Sequence, residues 1–566
     1  MGGSERLIVA DTTLIVMQPP RAGRILSPAG ARIKTQPKTR FRKFLGFSTT
    51  LGGATLVLAA ASLASRVLGL VRDRLLATGF GAGADLDTYY AAFRIPDFLF
   101  QILILGALSA AFIPVFAGYL AQHKKADADR MASSLLNLGV VVLTGAAALV
   151  WIFAPQLMPL VTPGFTDAQL DQAVELTRIM LLSPIFFGVS GVLGGILNSH
   201  HKFVAYAAAP LFYNLGIIAG ALIAPKYGLN FLAVGVVLGA FLQMALQIVA
   251  TTRTGFSYRP LIDLRHPGVR RTFVLMLPAT AGIAILQVNL LLETIVASTL
   301  REGSLSQFML ATSLSMVPVG VIGASLATAV FPVLAKEASL KQTDQFTVTL
   351  LTSIRQILYF IIPASVAMMV LRAQIVRLVY GAGKFDFVDT RFVTSLLGIL
   401  AVSLFAQALI PLLTRAFYAL RNTKTPVIIA FVGMAVNLAL AIGLSYYLGV
   451  AGLAVGFSAA AIVQLALLLF FLSGKIPAIE DGAMLGAVLR IMIATIGMAS
   501  FMYGTLYGVA FLLEHIQSDF TVAFFAIQAV AAGLAGVVSY ALLTKWLGLP
   551  ESGLLLGILR RPWRRG

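Results

Sequence analysis

The chain has 566 residues, 58% hydrophobic and 11% charged, with a mean hydropathy of +0.90, which excludes an ordinary soluble globular protein. It has no cysteine, so disulfides and thiolate metal sites are excluded, and its five histidines are scattered without ligand spacing. A net charge of +19 would suit a nucleic-acid binder, but the placement of the basic residues argues otherwise.

Residues 1–46 form a basic, acid-poor stretch with nine Lys and Arg, read as a disordered cytoplasmic tail. Fourteen apolar segments follow, each long enough to cross a bilayer: 51–80, 88–118, 133–160, 173–198, 206–224, 229–251, 268–298, 305–335, 346–371, 389–418, 425–445, 449–472, 484–512 and 519–545. This predicts an all-α integral membrane protein. Pro96, Pro114, Pro184, Pro278, Pro318, Pro332, Pro363 and Pro411 lie within or near these segments, so kinks are expected. An even number of spans puts both ends on one side. The loops on that side, together with the tail, hold most of the 42 Lys and Arg, whereas the opposite side has few beyond Arg372, Arg377, Lys384 and Arg391. That asymmetry predicts cytoplasmic termini and no nucleic acid. The last basic run, 546–566, is a cytoplasmic C-terminus on the same reading.

The chain repeats itself at an offset near 220 residues. Tyr227-Gly228-Leu229-Asn230-Phe231-Leu232-Ala233-Val234-Gly235 resembles Leu448-Gly449-Val450-Ala451-Gly452-Leu453-Ala454-Val455-Gly456. Gln243 answers to Gln464, Asn214 to Asn437, and Phe112-Ile113-Pro114 to Val330-Phe331-Pro332. The expected organisation is therefore two six-helix bundles in parallel, 47–251 and 252–475, with two further helices over 476–545. Parallel repeats of this kind are a transporter architecture, with the site between the halves.

Charges inside the spans point to the cargo. Arg66, Arg72 and Asp73 sit in the first segment, Arg94 and Asp97 in the second, Glu293 in the seventh and Arg355 in the ninth, with Asp85 and Asp87 at the mouth between the first two. Each charge costs on the order of 2.5–3.5 kcal/mol at mid-helix, so such groups should face one another or a wet cavity. Arginine keeps its proton and matches phosphate oxygens in bidentate fashion, which favours an anionic, phosphorylated substrate. No Gly-x-x-x-x-Gly-Lys-Ser/Thr motif and no nucleophile–base constellation is present, so the reading is a carrier rather than an enzyme or an ATP-driven pump.

Ser65-Arg66-Val67-Leu68-Gly69-Leu70-Val71-Arg72-Asp73 resembles the first-helix motif of the lipid II flippase family (MurJ/MviN). Phe80-Gly81-Ala82-Gly83, Asp87, Ala91-Ala92-Phe93-Arg94-Ile95-Pro96-Asp97 and Gly106-Ala107-Leu108-Ser109-Ala110-Ala111-Phe112-Ile113-Pro114 are similar to the motifs that follow. Pro318-Val319-Gly320-Val321-Ile322-Gly323 fits the eighth helix, and Arg421-Asn422-Thr423-Lys424-Thr425-Pro426 the loop before the eleventh. The resemblance implies the multidrug/oligosaccharidyl-lipid/polysaccharide exporter superfamily and a location in the bacterial inner membrane. It implies a cationic cavity for the diphosphate and sugar of undecaprenyl-linked peptidoglycan precursor, alternating access, and a lipid-tail groove on the last two helices. A monomer in the bilayer is expected. Arg66, Arg72, Asp73 and Asp87 match family cavity and gate residues, and Arg94 and Arg355 are further candidates for substrate binding. The chain departs from the pattern at Phe100 and Gln101, where many members carry arginines, and at Thr312-Ser313, where many carry Asp-Arg. That leaves open an exporter of another polyprenyl-linked glycan or, less in keeping, a cation-coupled drug exporter. No cofactor is expected beyond Na+ or H+ as coupling ion. Glu293 and Asn437 are the candidates for that role, with Ala441 where a second acid sometimes stands.

Overall fold

A computed structural model describes residues 51–105, 111–474, 482–514 and 522–553. The expected tail and most of the basic C-terminus lie outside the described residues. Every regular element among the described residues is helical.

Helix α1 (Leu51–Phe80) runs for 30 residues, about 45 Å at 1.5 Å per residue. The second span is α2 (Ala84–Phe100) with a π-helical extension Gln101–Leu105, and α3 (Ile113–Ala121) follows. Then come α4 (Lys125–Val161), the stacked α5 (Asp167–Met180) and α6 (Leu182–Ser199), α7 (Phe203–Tyr227) and α8 (Asn230–Thr252). The second half repeats the order with α9 (Pro267–Ser298), α10 (Ser304–Pro318), a π-helical turn Val319–Ala324, α11 (Ser325–Ser339) and α12 (Thr343–Val370). It continues with α13 (Arg372–Tyr380), α14 (Phe387–Val402), α15 (Leu404–Ala419), α16 (Lys424–Leu448) and α17 (Val450–Ser473). Helices α18 (Gly482–Glu514) and α19 (Val522–Trp546) pair with each other and lean on α12 and α13.

Ten of these stretches are long and apolar enough to cross a membrane, and an eleventh forms if α14 and α15, bent by 47°, count as one. The other three expected crossings are α1, α2 with its extension, and α9, which carry Arg66, Arg72, Arg94 and Glu293. The bend sits at Ser403, whose hydroxyl takes the Leu400 carbonyl and accepts from Gln407. Leu149, Ile152, Val249, Ile496 and Leu542 lie exposed on the outer faces, a surface suited to hydrocarbon rather than water.

The repeat is visible in the packing. Helices α7 and α8 pair as closely as α16 and α17 do, each pair turning at a glycine, Gly228 or Gly449. Small residues set the approach: a Cβ on Gly216 would fall 2.3 Å from the Gly239 backbone, and one on Gly452 2.4 Å from that of Ser445. Without a hydrophobic drive between helices in lipid, such close contact is what holds them together. The linker between the halves is tied along the start of α4. Ser133 and Ser134 accept from the amides of Arg259 and Asp263, Asn137 donates to the Arg259 and Leu261 carbonyls, and Arg130 pairs with Asp263 at 2.8 Å.

Gly216→Leu should therefore force α7 from α8 and cost about 1–3 kcal/mol or more. Gly443→Ala, with nothing within 4 Å, should be neutral. Thermal unfolding of the two variants in detergent checks this; equal midpoints would contradict the packing argument.

Candidate functional site

The two halves are clasped at the end where α1 stops. Asp87, in the first turn of α2, accepts from the amides of Gly303 and Ser306 at 2.7 and 2.6 Å, capping α10 of the other half. Glu302, just before α10, caps α2 in return by accepting from Ala84 N at 3.1 Å. Asp389 at the start of α14 accepts from Ala82 N at 3.0 Å. Free amides at a helix N-terminus are the natural partners of carboxylates. Arg74 donates to the carbonyls of Leu378 and Val379, and Lys384 N donates to Thr78 O at 2.9 Å. Two glycines permit this seam: Gly303 (φ 86°) and Gly383 (φ 60°) take left-handed conformations, and a Cβ on either would fall within 2.3 Å of a carbonyl across the seam.

One layer inside the clasp, Arg72 and Asp73 join both halves. The Arg72 guanidinium donates to Asp73 Oδ1 from Nε and Nη2 at 2.9 and 2.8 Å, and to Asn214 Oδ1 from Nη1 at 3.3 Å. Asn214 in turn reaches Ser65. Asp73 is buried and accepts from Ser313 of α10 at 2.5 Å, while the Arg72 side chain keeps 29% of its surface. A buried ion pair needs such extra bonds to offset desolvation.

Deeper, Arg66 lines a cavity of about 530 Å³ whose walls come from α1, α6, α7 and α8, with Phe100 and Ile113. Its guanidinium lies flat against Gly320 in the π-helical turn of the other half, where a Cβ would fall 2.1 Å from Nη1. It has no hydrogen-bond or ion-pair partner among the described residues, although it is half-buried. The π-helical segments Gln101–Leu105 and Val319–Ala324 border this region, a placement π-bulges often take at functional sites.

The remaining candidates divide. Arg94 is spent between helices: it donates to Thr294 Oγ1 of α9 at 2.8 Å and lies 2.8 Å from Met309 Sδ of α10. Asp97 accepts from Gln101. Arg355 is not brought to the others; its Nε pairs with Glu551 beyond α19, so the expectation that it replaces a cavity arginine gives way to a tie between α12 and the chain's end. Glu293 and Asn437 do meet. Asn437 Nδ2 donates to Glu293 Oε1 at 2.8 Å and to Asn289 Oδ1 at 2.9 Å, and Asn289 Nδ2 donates to Glu293 Oε1 at 2.7 Å. Asn437 Oδ1 is buried without a hydrogen bond. No cluster of three His, Cys, Asp or Glu that could hold a metal ion occurs among the described residues.

Two of the departures from the family pattern have a structural role. Phe100 packs at a tilt on Phe187, ring centres 4.8 Å apart, in the cavity wall, and Ser313 supplies the bond to Asp73. Sequence reasoning missed Asp389, Glu302 and Asn289, and did not foresee that Ser313 would bond Asp73. Asn289 stands one helical turn before Glu293, a spacing that places the two on one face; the others are far from their partners in sequence, which carries no signal of the contact.

Residues 76–530 match the family described as lipid II flippase MurJ. The chain is 32% identical over 428 residues to the probable lipid II flippase MurJ of Vibrio cholerae, covering 73% of this chain and 81% of that one. To the corresponding protein of Rhizobium meliloti it is 30% identical over 529 residues, covering 91% and 96%. To the lipid II flippase MurJ of Burkholderia cenocepacia it is 32% identical over 393 residues, covering 67% and 75%. Among solved structures, a lipid II flippase MurJ in an inward closed conformation aligns with TM-score 0.72 and 25% identity, over 87% of this chain and 99% of the other. An inward-facing multidrug resistance transporter of the MATE family aligns with TM-score 0.63 at 17% identity, over 75% and 98%, and shows the shared fold. The chain thus belongs to the lipid II flippase MurJ family.

Proposed function

We propose that the protein carries lipid II across the bacterial inner membrane by alternating access, with Arg66 as the first ligand of its diphosphate. The observation that carries this is a half-buried guanidinium at membrane depth, in a cavity, with no partner among the described residues. A charge left so is costly unless something anionic visits it, and diphosphate offers the planar oxygens that a guanidinium fork fits. The names of the relatives favour lipid II over other polyprenyl-linked glycans.

With both termini cytoplasmic, as the positive-inside pattern indicates, α1 runs outward and the clasp closes the outer face. Substrate then enters the cavity from the cytoplasmic leaflet. The Arg72–Asp73 layer comes next on the way out. Arg72 is held to Asp73 and Asn214 but retains exposed surface, so phosphate can compete for it while Ser313 keeps Asp73 in place. Release outward requires the Asp87, Glu302 and Asp389 caps to let go. Charge-assisted bonds are worth about 1.5–3 kcal/mol each when shielded from water, so several together hold the gate shut. Helices α18 and α19, which pack on α12 and α13, supply the groove for the lipid tail on this reading. The protein works as a monomer on this reading.

Coupling is assigned to Glu293, Asn289 and Asn437. Their oxygens suit a hard cation such as Na+, and the unbonded Asn437 Oδ1 is the atom such an ion would use. Accepting it requires the Asn437 amide to turn, since its Nδ2 now faces Glu293 and Asn289. A proton on Glu293 would act through the same residues.

Arg66→Ala should abolish rescue of a flippase-depleted bacterium while the protein still inserts, and Gly320→Val, which displaces that guanidinium, should impair rescue as well; normal growth with Arg66→Ala would sink the cavity-arginine mechanism. Asp87→Ala should loosen the clasp and raise labelling of Ser313→Cys by a membrane-impermeant thiol reagent from outside by about tenfold. Unchanged labelling would mean that the gate does not depend on Asp87. Replacing choline by Na+ should raise the unfolding midpoint of the purified protein, and Glu293→Gln with Asn437→Ala should remove that rise. If neither cation matters but the midpoint follows pH in the wild type alone, the coupling ion is a proton.

A further inference from the structure

The two halves carry the same polar pair and differ in the charge that accompanies it. At the offset of the repeat, Asp73 on α1 answers to Glu293 on α9, and Asn214 on α7 answers to Asn437 on α16. Helix α7 packs on α1 as α16 packs on α9, so each half sets a carboxylate against an asparagine, and all four side chains are buried. Where the first half has Arg72, the second has Leu292. One copy of the site therefore carries its own cation and the other does not.

The asparagines respond to that difference. In the first half the amide oxygen faces the cation: Asn214 Oδ1 accepts from Arg72 Nη1 at 3.3 Å, while Nδ2 turns away to Ser65 Oγ at 3.3 Å and the Pro210 carbonyl at 3.1 Å. In the second half the amide is reversed. Asn437 Nδ2 donates to Glu293 Oε1 at 2.8 Å, and its Oδ1 is left buried without a hydrogen bond. An amide has an acceptor at one end and donors at the other, so the end that faces the carboxylate reports whether the protein supplies a cation there. The first half thus displays the filled geometry of a site that both halves share.

Arg72 is also the member of the first-half site that can leave. Its side chain keeps 29% of its surface, whereas that of Asp73 keeps 4%. Phosphate that takes the guanidinium leaves Asp73 with the Ser313 hydroxyl as its hydrogen-bond donor among the described residues. A buried carboxylate stripped of its counter-charge is expensive. The oxygens around the vacated place are a carboxylate, an amide carbonyl and the hydroxyls of Ser65 and Ser313, which are hard donors.

We propose that Asp73 and Asn214, with Ser65 and Ser313 beside them, form a second Na+ seat, which the Arg72 guanidinium fills in the closed state and Na+ enters when diphosphate draws Arg72 away. The inference rests on the reading of Arg72 as a phosphate ligand, and it makes the charge of the substrate load the ion directly. The exchange reverses when the phosphate departs and Arg72 returns to Asp73.

The test uses the full chain with the second-half site removed by Glu293→Gln and Asn437→Ala. In that background Arg72→Gln should add about 2 °C or more to the difference between the unfolding midpoints in Na+ and in choline, and Asp73→Asn on top should abolish the gain. Arg72→Lys, which leaves an ammonium in the seat, should gain nothing; a gain equal to that of Arg72→Gln would overturn the seat. A second measurement keeps Arg72 and does not depend on that variant folding. In nanodiscs holding the same background, Na+ should tighten binding of undecaprenyl diphosphate about five- to tenfold relative to choline, because linkage is reciprocal, and Asp73→Asn should remove the effect. If Na+ changes neither the midpoint of Arg72→Gln nor diphosphate binding, while Arg72→Gln weakens that binding in choline, the seat is wrong and the phosphate reading stands. If Arg72→Gln leaves diphosphate binding in choline unchanged, the phosphate reading of Arg72 falls and the exchange with it.

Discussion

Charge at membrane depth must be compensated, and most of the organisation of this protein follows from how that is done. Each ionic group at depth has one of two fates. It is consumed in bonds between helices, as Asp73 and Arg94 are, or it faces a cavity, as Arg66 does. The first fate builds the seam between the halves. The second marks where a ligand can contribute what the protein withholds.

The seam is unusual in drawing so much from backbone. Carboxylates of one half cap helices of the other, and arginine and amide donors reach carbonyls across it. Such bonds are strong only while geometry is kept, because helix N-termini present a fixed array of donors. A small rotation of one half breaks them together. That gives a two-state closure of the kind a carrier needs, built without a dedicated gate domain.

Positions where the chain departs from its family have structural occupants. Ser313 satisfies Asp73, and Phe100 joins an aromatic wall. Positive charge in the cavity is therefore concentrated on α1, and the wall opposite gains ring faces and amides. Arg355 is spent elsewhere, in its pair with Glu551.

Sequence by itself determined the class, the repeat and the membership of Arg66, Arg72 and Asp73 in one span. Those features are local: hydrophobic length, motif order and helical spacing are written along a single helix. The Asn214 and Asn437 correspondence was legible because both halves obey the same packing. Tertiary structure alone decided which charges are free. Arg66 and Arg94 look alike in the sequence, yet one meets an open cavity and the other meets Thr294, two hundred residues away. Whether a guanidinium is spent or available depends on what the other half brings opposite it, and no pattern within one helix encodes that.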